Sequence, residues 1–521
     1  MTPDLHEFMV RAASLQLAGN VAQAAAELQS AKDAGHHSPK LDFALGHLLF
    51  ECGDTEGAAS GFRGVLDLEA TDATARYNLA VCLHKLEAWE ESAAEFRQAI
   101  ALDSRRTGAY AGLGLCSLRL HQPAEALQAF DICLERQPFR ETVLAGKAAA
   151  LMMLERHAEA AEILGTLLLR NPQSEELLSN GIVVAFAIGD YELAAERARR
   201  LLEISPRSAS ALDALAFAAA ARRDYDAAAR FCQSLLEIEP ENGAAWFNRG
   251  VALHKLSRYP EAAEAYSRAA AAHPDESRTY VSLGIVLQEL TRYEEARQAY
   301  EHVLKKLDRA NRAALWNLGL LLEAQDDLKS ALELYTRLTE LYPDAQDAWF
   351  RIGFIRLQEK QHQAAIAAFK ACLQLEPKNC EALLNLGIVQ WKMGNAAEAE
   401  QTFRQILVLS PKSAEALRAL AAISLEGRSL KESLTAHKQL IELGEPDADI
   451  LYNTALLLQK LGRSADAAAH YRQALALRPD FPEALLNLGH ALVAVGKPDE
   501  AQLTWQAALR SNPGLAEALL L

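Results

Sequence analysis

The residues best suited to metal or nucleophilic chemistry in this chain are fourteen histidines and seven cysteines, and their spacing supports neither use. A metal site needs three or four converging ligands. His36 and His37 fall together in a turn, while His84 and His254 occupy equivalent places in distant segments and cannot meet. The cysteines form no CxxC and no spaced metal pattern. No glycine-rich phosphate loop, HExxH, nucleophile elbow or kinase signature occurs. The expectation is therefore no catalytic residue, no metal and no cofactor. What the side chains do offer is recognition chemistry: a recurring asparagine, and large apolar residues at a fixed interval.

That interval is set by proline. Pro138, Pro172, Pro206, Pro240 and Pro274 are followed by Pro343, Pro377 and Pro411, then by Pro479 and Pro513, with a step of 34 within each run. A period of this size marks a helical repeat array. With proline as position 32, units begin near 5, 39, 73, 107, 141, 175, 209, 243, 277, 312, 346, 380, 414, 448 and 482. One extra residue falls in the stretch Lys305–Asn311. Residues 1–521 thus read as one continuous array, with 516–521 the start of a further unit.

Composition agrees with helices. Half the residues are hydrophobic, Ala and Leu dominate them, and no stretch alternates like a strand. Position 20 is always Ala or Ser, and position 8 is Gly or Ala in every unit but one, where Ile182 stands. Position 24 is usually large, as in Phe62, Phe130, Tyr266, Tyr335, Phe369 and Trp505. Small residues let two antiparallel helices approach, and a large one fills the gap to the next unit. Glycine near position 15 suits the turn after the first helix, and the proline stops the second. Each unit is then a helix hairpin that buries its apolar face only by stacking on its neighbours.

The chain carries 53 basic and 69 acidic residues, a net charge of -16, which disfavours nucleic acid and membrane surfaces as partners. The amino-terminal segment has Asp4, Glu7 and Arg11 where a signal peptide needs an apolar run, and nothing approaches a membrane span. Cys82, Cys116, Cys133, Cys232 and Cys372 fall at inward positions, as reduced thiols of a cytoplasmic protein would.

The pattern of small, small, large and proline, clearest over 244–274 and 381–411, resembles the tetratricopeptide repeat (TPR) family. The resemblance implies an all-α fold: a right-handed α-α superhelix, or TPR solenoid, of about fifteen 34-residue helix hairpins. It also implies a concave groove lined by positions 2, 5, 6, 9 and 12 of each first helix. Position 6 gives Asn78, Asn180, Asn248, Asn317, Asn385, Asn453 and Asn487, similar to the asparagine ladder of O-linked N-acetylglucosamine transferases. A carboxamide row can pair with the main chain of an extended peptide whatever its sequence. Positions 5 and 9 give Phe247, Val251, Ile285, Trp316, Leu320, Phe350, Phe354, Ile388 and Tyr452, with Trp391 at position 12. Large aromatics are the usual anchors of binding energy. Position 2 is acidic in Asp347, Glu381, Glu415, Asp449 and Glu483, which suits the positive end of a helix and also a basic partner. Position 9 is apolar where a clamp for chaperone tails needs Asn.

The function expected is a non-catalytic protein–protein interaction scaffold that binds a peptide or partner segment, basic and hydrophobic in character, in this groove. Two alternatives stay open: the recruiting arm or subunit of an enzyme such as a glycosyltransferase, and a self-assembling structural protein. The second rests on the run Leu519, Leu520 and Leu521, which has no successor to cover it.

Overall fold

The computed structural model describes residues 4–427, 429–444, 446–512 and 514. Pro513 and the 516–521 segment lie outside the described residues, so the reading of an uncovered last unit lies outside them too. Among the described residues there are thirty α-helices, one π turn and no strand. They form two bodies, 1–273 and 274–521.

Within each body the helices pair as hairpins, the first helix usually 13 residues and the second 14. First helices start at Leu5, Pro39, Ala73, Thr107, Glu141, Glu175, Ala209 and Gly243 in the first body. In the second they start at Ser277, Arg312, Gln346, Cys380, Ala414, Ala448 and Pro482. Several are capped by a side chain: the Asn379 carboxamide oxygen accepts from Ala382 N at 2.9 Å, and Asn311 and Asn242 do the same two and four repeats earlier.

The turn after the first helix needs a left-handed residue at position 15. Gly19, Gly53, Gly189, Gly394, Gly462 and Gly496 supply it at φ between 75° and 84°. Elsewhere a residue with a side chain is forced into the same conformation, among them Glu87, His121, Ser257, Thr291 and Lys360. The reason is the hydrogen bonding that closes the helix. Thr291 N donates to Gln288 O, and Arg292 N to Leu287 O, both at 2.9 Å, the doubled closure that requires one left-handed residue between them. Threonine at φ 58° is β-branched and strained there. Thr291→Gly is expected to stabilise its hairpin by about 1 kcal/mol, read as slower hydrogen exchange at Arg292 N–H. Unchanged or faster exchange would show the strain to be absent.

Position 8 meets position 24 of the same hairpin. A Cβ added to Gly353 would lie 2.7 Å from Cε1 of Phe369, and one on Gly387 2.6 Å from Cε1 of Phe403. The rings at position 24 are sealed: Tyr266, Tyr300, Tyr335, Phe369, Phe403 and Tyr471 are all buried. Ile182 explains itself in this geometry. Its repeat carries Ala198 at position 24, so the large and small partners have changed places inside one buried cluster.

The extra residue is absorbed by a π turn, Val303–Leu307, at the end of helix Tyr293–His302. Asp308 N donates to Val303 O at 2.8 Å, five residues back. Val303 and Leu304 both stay buried.

Candidate functional site

The aromatic residues at position 5 stand on the sealed rings at position 24. Trp316 lies 5.6 Å from Tyr335, Phe350 5.9 Å from Phe369, and Tyr452 5.8 Å from Tyr471, centroid to centroid and tilted or edge-on. All three are half-buried, and Tyr452 is flanked a second time by Phe481, 4.8 Å away. Phe354, Leu320, Ile285, Ile388 and Trp391 are half-buried as well. These side chains all belong to first helices of the second body. Phe247, Asn248 and Val251 belong to the first body. Phe247 packs 5.5 Å from Tyr266 and is only 7 % exposed, so it presents little surface to a partner.

The asparagines are partly spent within the protein. Asn317 Nδ2 donates to Ala313 O at 2.8 Å and Asn385 Nδ2 to Glu381 O at 3.0 Å, each to the preceding turn of its own helix. Asn487 Nδ2 donates to Tyr452 Oη at 3.0 Å, joining two hairpins. A carboxamide has a second N–H and an acceptor oxygen, so these contacts use one of three valences. Asn453 is half-buried and Asn248 exposed.

Other polar groups on the same helices tie neighbouring hairpins together. Arg351 Nη1 lies 3.2 Å from Glu323 Oε1, and Tyr335 Oη donates to the other Glu323 oxygen at 2.9 Å. Burial and this carboxylate push the Tyr335 phenol well above its ordinary range. Trp391 Nε1 donates to Glu426 Oε2 at 2.7 Å. Of the acidic residues at position 2, Asp449 is held by both terminal nitrogens of Arg478, at 3.0 and 2.7 Å, and the guanidinium holds its carboxyl below the usual carboxylate range. Asp347, Glu381, Glu415 and Glu483 are exposed.

In the first body the structure gathers a cluster outside the sequence-derived set. Phe186 and Phe217 meet edge-to-face at 5.1 Å, with Tyr191 6.3 and 6.5 Å away, and Phe217 is 55 % exposed. Phe186 and Phe217 occupy positions 12 and 9, so the same register carried the signal. Tyr191 opens a second helix, which a template of first-helix positions passes over.

Among the described residues no three His, Cys, Asp or Glu side chains could hold a metal ion. Five thiols are buried, and burial pushes Cys82 and Cys372 up to about 11 and Cys232 up to about 12. A thiol so raised holds no thiolate at pH 8. Iodoacetamide at that pH is expected to label the exposed Cys52 and to leave Cys82, Cys116, Cys133, Cys232 and Cys372 unmodified until the chain is unfolded. Mass spectrometry after timed labelling checks this, and early labelling of any of the five would contradict the burial. Among the described residues no helix is long and apolar enough to cross a membrane.

Family models agree with the geometry. Models described as tetratricopeptide repeat match residues 43–107, 241–309, 275–344, 324–379, 356–423 and 486–521, and one described as TPR repeat matches 460–496. Between them they span more than half of the sequence. The chain belongs to the tetratricopeptide-repeat family. Its fold is the all-α TPR hairpin solenoid, and such repeats are typically non-catalytic scaffolds for protein interaction. Residues 121–235 of this TPR chain also match a model described as coatomer epsilon subunit.

No curated protein sequence matches the TPR chain. Solved structures similar to it include the MamA protein, 26 % identical over 33 % of this chain and 94 % of that one, with a TM-score of 0.30. Another is YrrB, a TPR protein with an unusual peptide-binding site: 21 % identical over 36 % of this chain and 97 % of that one, TM-score 0.33. A third is a chain of Naa15/Naa10 bound to HypK-THB, 13 % identical over 99 % of this chain and 95 % of that one, TM-score 0.35. Scores this low are likenesses and carry no functional inference.

Proposed function

We propose that this TPR chain is a non-catalytic scaffold that holds an extended segment of a partner protein against the first helices of its second body. One observation carries the reading: large apolar side chains at positions 5 and 9 of consecutive first helices, from Ile285 through Trp316, Phe350 and Phe354 to Ile388, are left half-exposed on one register. Half-exposed aromatics beside fixed polar groups are the composition of a binding hot spot. The free valences of Asn317, Asn385, Asn453 and Asn487 pair with the main chain of the segment. The partner is basic and hydrophobic, because Asp347, Glu381 and Glu415 are exposed on the same helices and the chain carries a net charge of -16. Nucleic acid and membrane are not partners on the same ground, and the setting is cytoplasmic.

A photo-crosslinking residue in place of Leu320 tests this directly. The expected result is one discrete adduct with a cellular protein, missing when the same residue replaces Val408, a residue of a second helix that is 81 % exposed. Equal adducts from both positions, or none from Leu320, would overturn the reading.

A further inference from the structure

One hairpin of the second body departs from its neighbours at position 24. In its neighbours position 24 is a ring: Tyr300, Tyr335, Phe369, Phe403 and Tyr471. Where that ring is tyrosine, its hydroxyl donates to position 12 of the same hairpin. Tyr335 bonds Glu323 at 2.9 Å, Tyr471 bonds Gln459 at 2.8 Å, and Tyr300 bonds Gln288 in the same way. The hairpin that begins at Ala414 has His437 at position 24 and Leu425 at position 12. Its positions 5 and 9 are Arg418 and Ala422, where the hairpins on either side have Leu384 with Ile388 and Tyr452 with Leu456.

The missing volume shows as a cleft of about 300 Å³. It opens between helices Ala414–Glu426 and Ala448–Lys460, and Ala422, Asn453 and Leu456 bring it out on the register of the proposed binding surface. Its floor is apolar: Ala421, Leu440, Ile450 and Leu457 are buried. His437 is buried beside them and is the one polar group of that floor among the described residues.

The protonation of His437 follows from its surroundings. Nδ1 lies 2.8 Å from Ser433 O, and a carbonyl only accepts, so Nδ1 carries the hydrogen. Burial lowers the pKa of the ring and keeps it neutral, against the weaker opposing pull of that hydrogen bond and of Asp447. A neutral ring with hydrogen on Nδ1 has an acceptor lone pair on Nε2, on the side of the ring away from Ser433. The mouth carries Asp447 and Asp449 against Arg418 and Lys460, so it favours neither sign of charge. Asp449 is in addition already held by Arg478.

An apolar slot with one acceptor at its base calls for a flat apolar side chain that ends in one donor. This rests on the reading of the surface as a groove for an extended segment. We propose that the cleft receives a single tyrosine side chain of the partner segment, its hydroxyl donating to His437 Nε2. Phenylalanine fills the slot but leaves the acceptor unpaired, and a lysine or glutamate tip would have to bury its charge on an apolar floor.

Titration of the full chain with N-acetyl-L-tyrosinamide, followed by ligand-observed NMR, tests the cleft apart from any partner. Saturable binding in the millimolar range is expected, about fivefold weaker for N-acetyl-L-phenylalaninamide because one buried hydrogen bond is lost. His437→Phe restores the neighbours' own filling and is expected to weaken tyrosinamide at least tenfold. Should that variant lose its helical circular dichroism, Ala422→Met closes the same cleft from its mouth and is expected to do the same. No saturation up to 50 mM, or the same binding constant in a folded His437→Phe or Ala422→Met chain, overturns the proposal. Tyrosinamide binding by a chain that forms no adduct from Leu320 keeps the cleft and discards the groove. Adducts without tyrosinamide binding do the reverse.

Discussion

Phe369→Ala is expected to cost about 3–5 kcal/mol, the usual range for removing a sealed aromatic ring, and to unfold its hairpin locally before the rest of the second body. The ring is fully buried, backs Phe350 on the outer side and covers Gly353 on the inner side. Gly353→Ile alone should also be destabilising, since its first added carbon already falls 2.7 Å from the ring. Together the two substitutions are expected to cost much less than their sum. The repeat with Ile182 and Ala198 is built that way around and is fully packed. Hydrogen exchange across Gln346–Gln358 and His362–Leu375 is the measurement, because stacked repeats open piecewise and one unfolding midpoint averages them. Additive losses would mean that positions 8 and 24 do not share a volume.

The second large effect is on binding. Trp316→Ala combined with Phe350→Ala is expected to weaken the partner found by crosslinking by roughly 30- to 1,000-fold, from about 2 kcal/mol for each aromatic anchor and incomplete additivity. Both rings are half-buried, so each substitution also loses packing against Tyr335 or Phe369. Circular dichroism of the double variant separates the two losses. A folded double variant with unchanged affinity would reduce the stripe to packing.

How much of this was legible in the sequence depends on whether one residue's role is set by local geometry or by its neighbours. Turn position 15 and the pairing of positions 8 and 24 are local, so the recurring Gly and the Ile182 exception point to them directly. The extra residue is also visible by counting, but the count places it in Lys305–Asn311 and the structure places it at Val303–Leu307. The difference arises because Val303 and Leu304 are both buried, which a widened turn allows. Phe247 and Trp316 share a position and a chemical class, yet one is covered and the other is half-open. Asn317 and Asn385 read as donors to a guest, and each first satisfies a carbonyl of its own helix, since short polar side chains on helices can turn back on the preceding turn. His437 replaces the tyrosine or phenylalanine of the neighbouring hairpins at position 24, and with Arg418 and Ala422 at positions 5 and 9 it is the sequence signal that points to the cleft.

The widened turn at Val303–Leu307 has a consequence for how such a chain can change over generations. A length error of one residue is confined to five residues, and the hairpin that starts at Arg312 is in step again. This joint therefore absorbs a one-residue insertion without disturbing the next hairpin. Register here is kept by each hairpin's own packing rather than by an exact residue count, so a slip in length stays local instead of turning every later side chain to a new face.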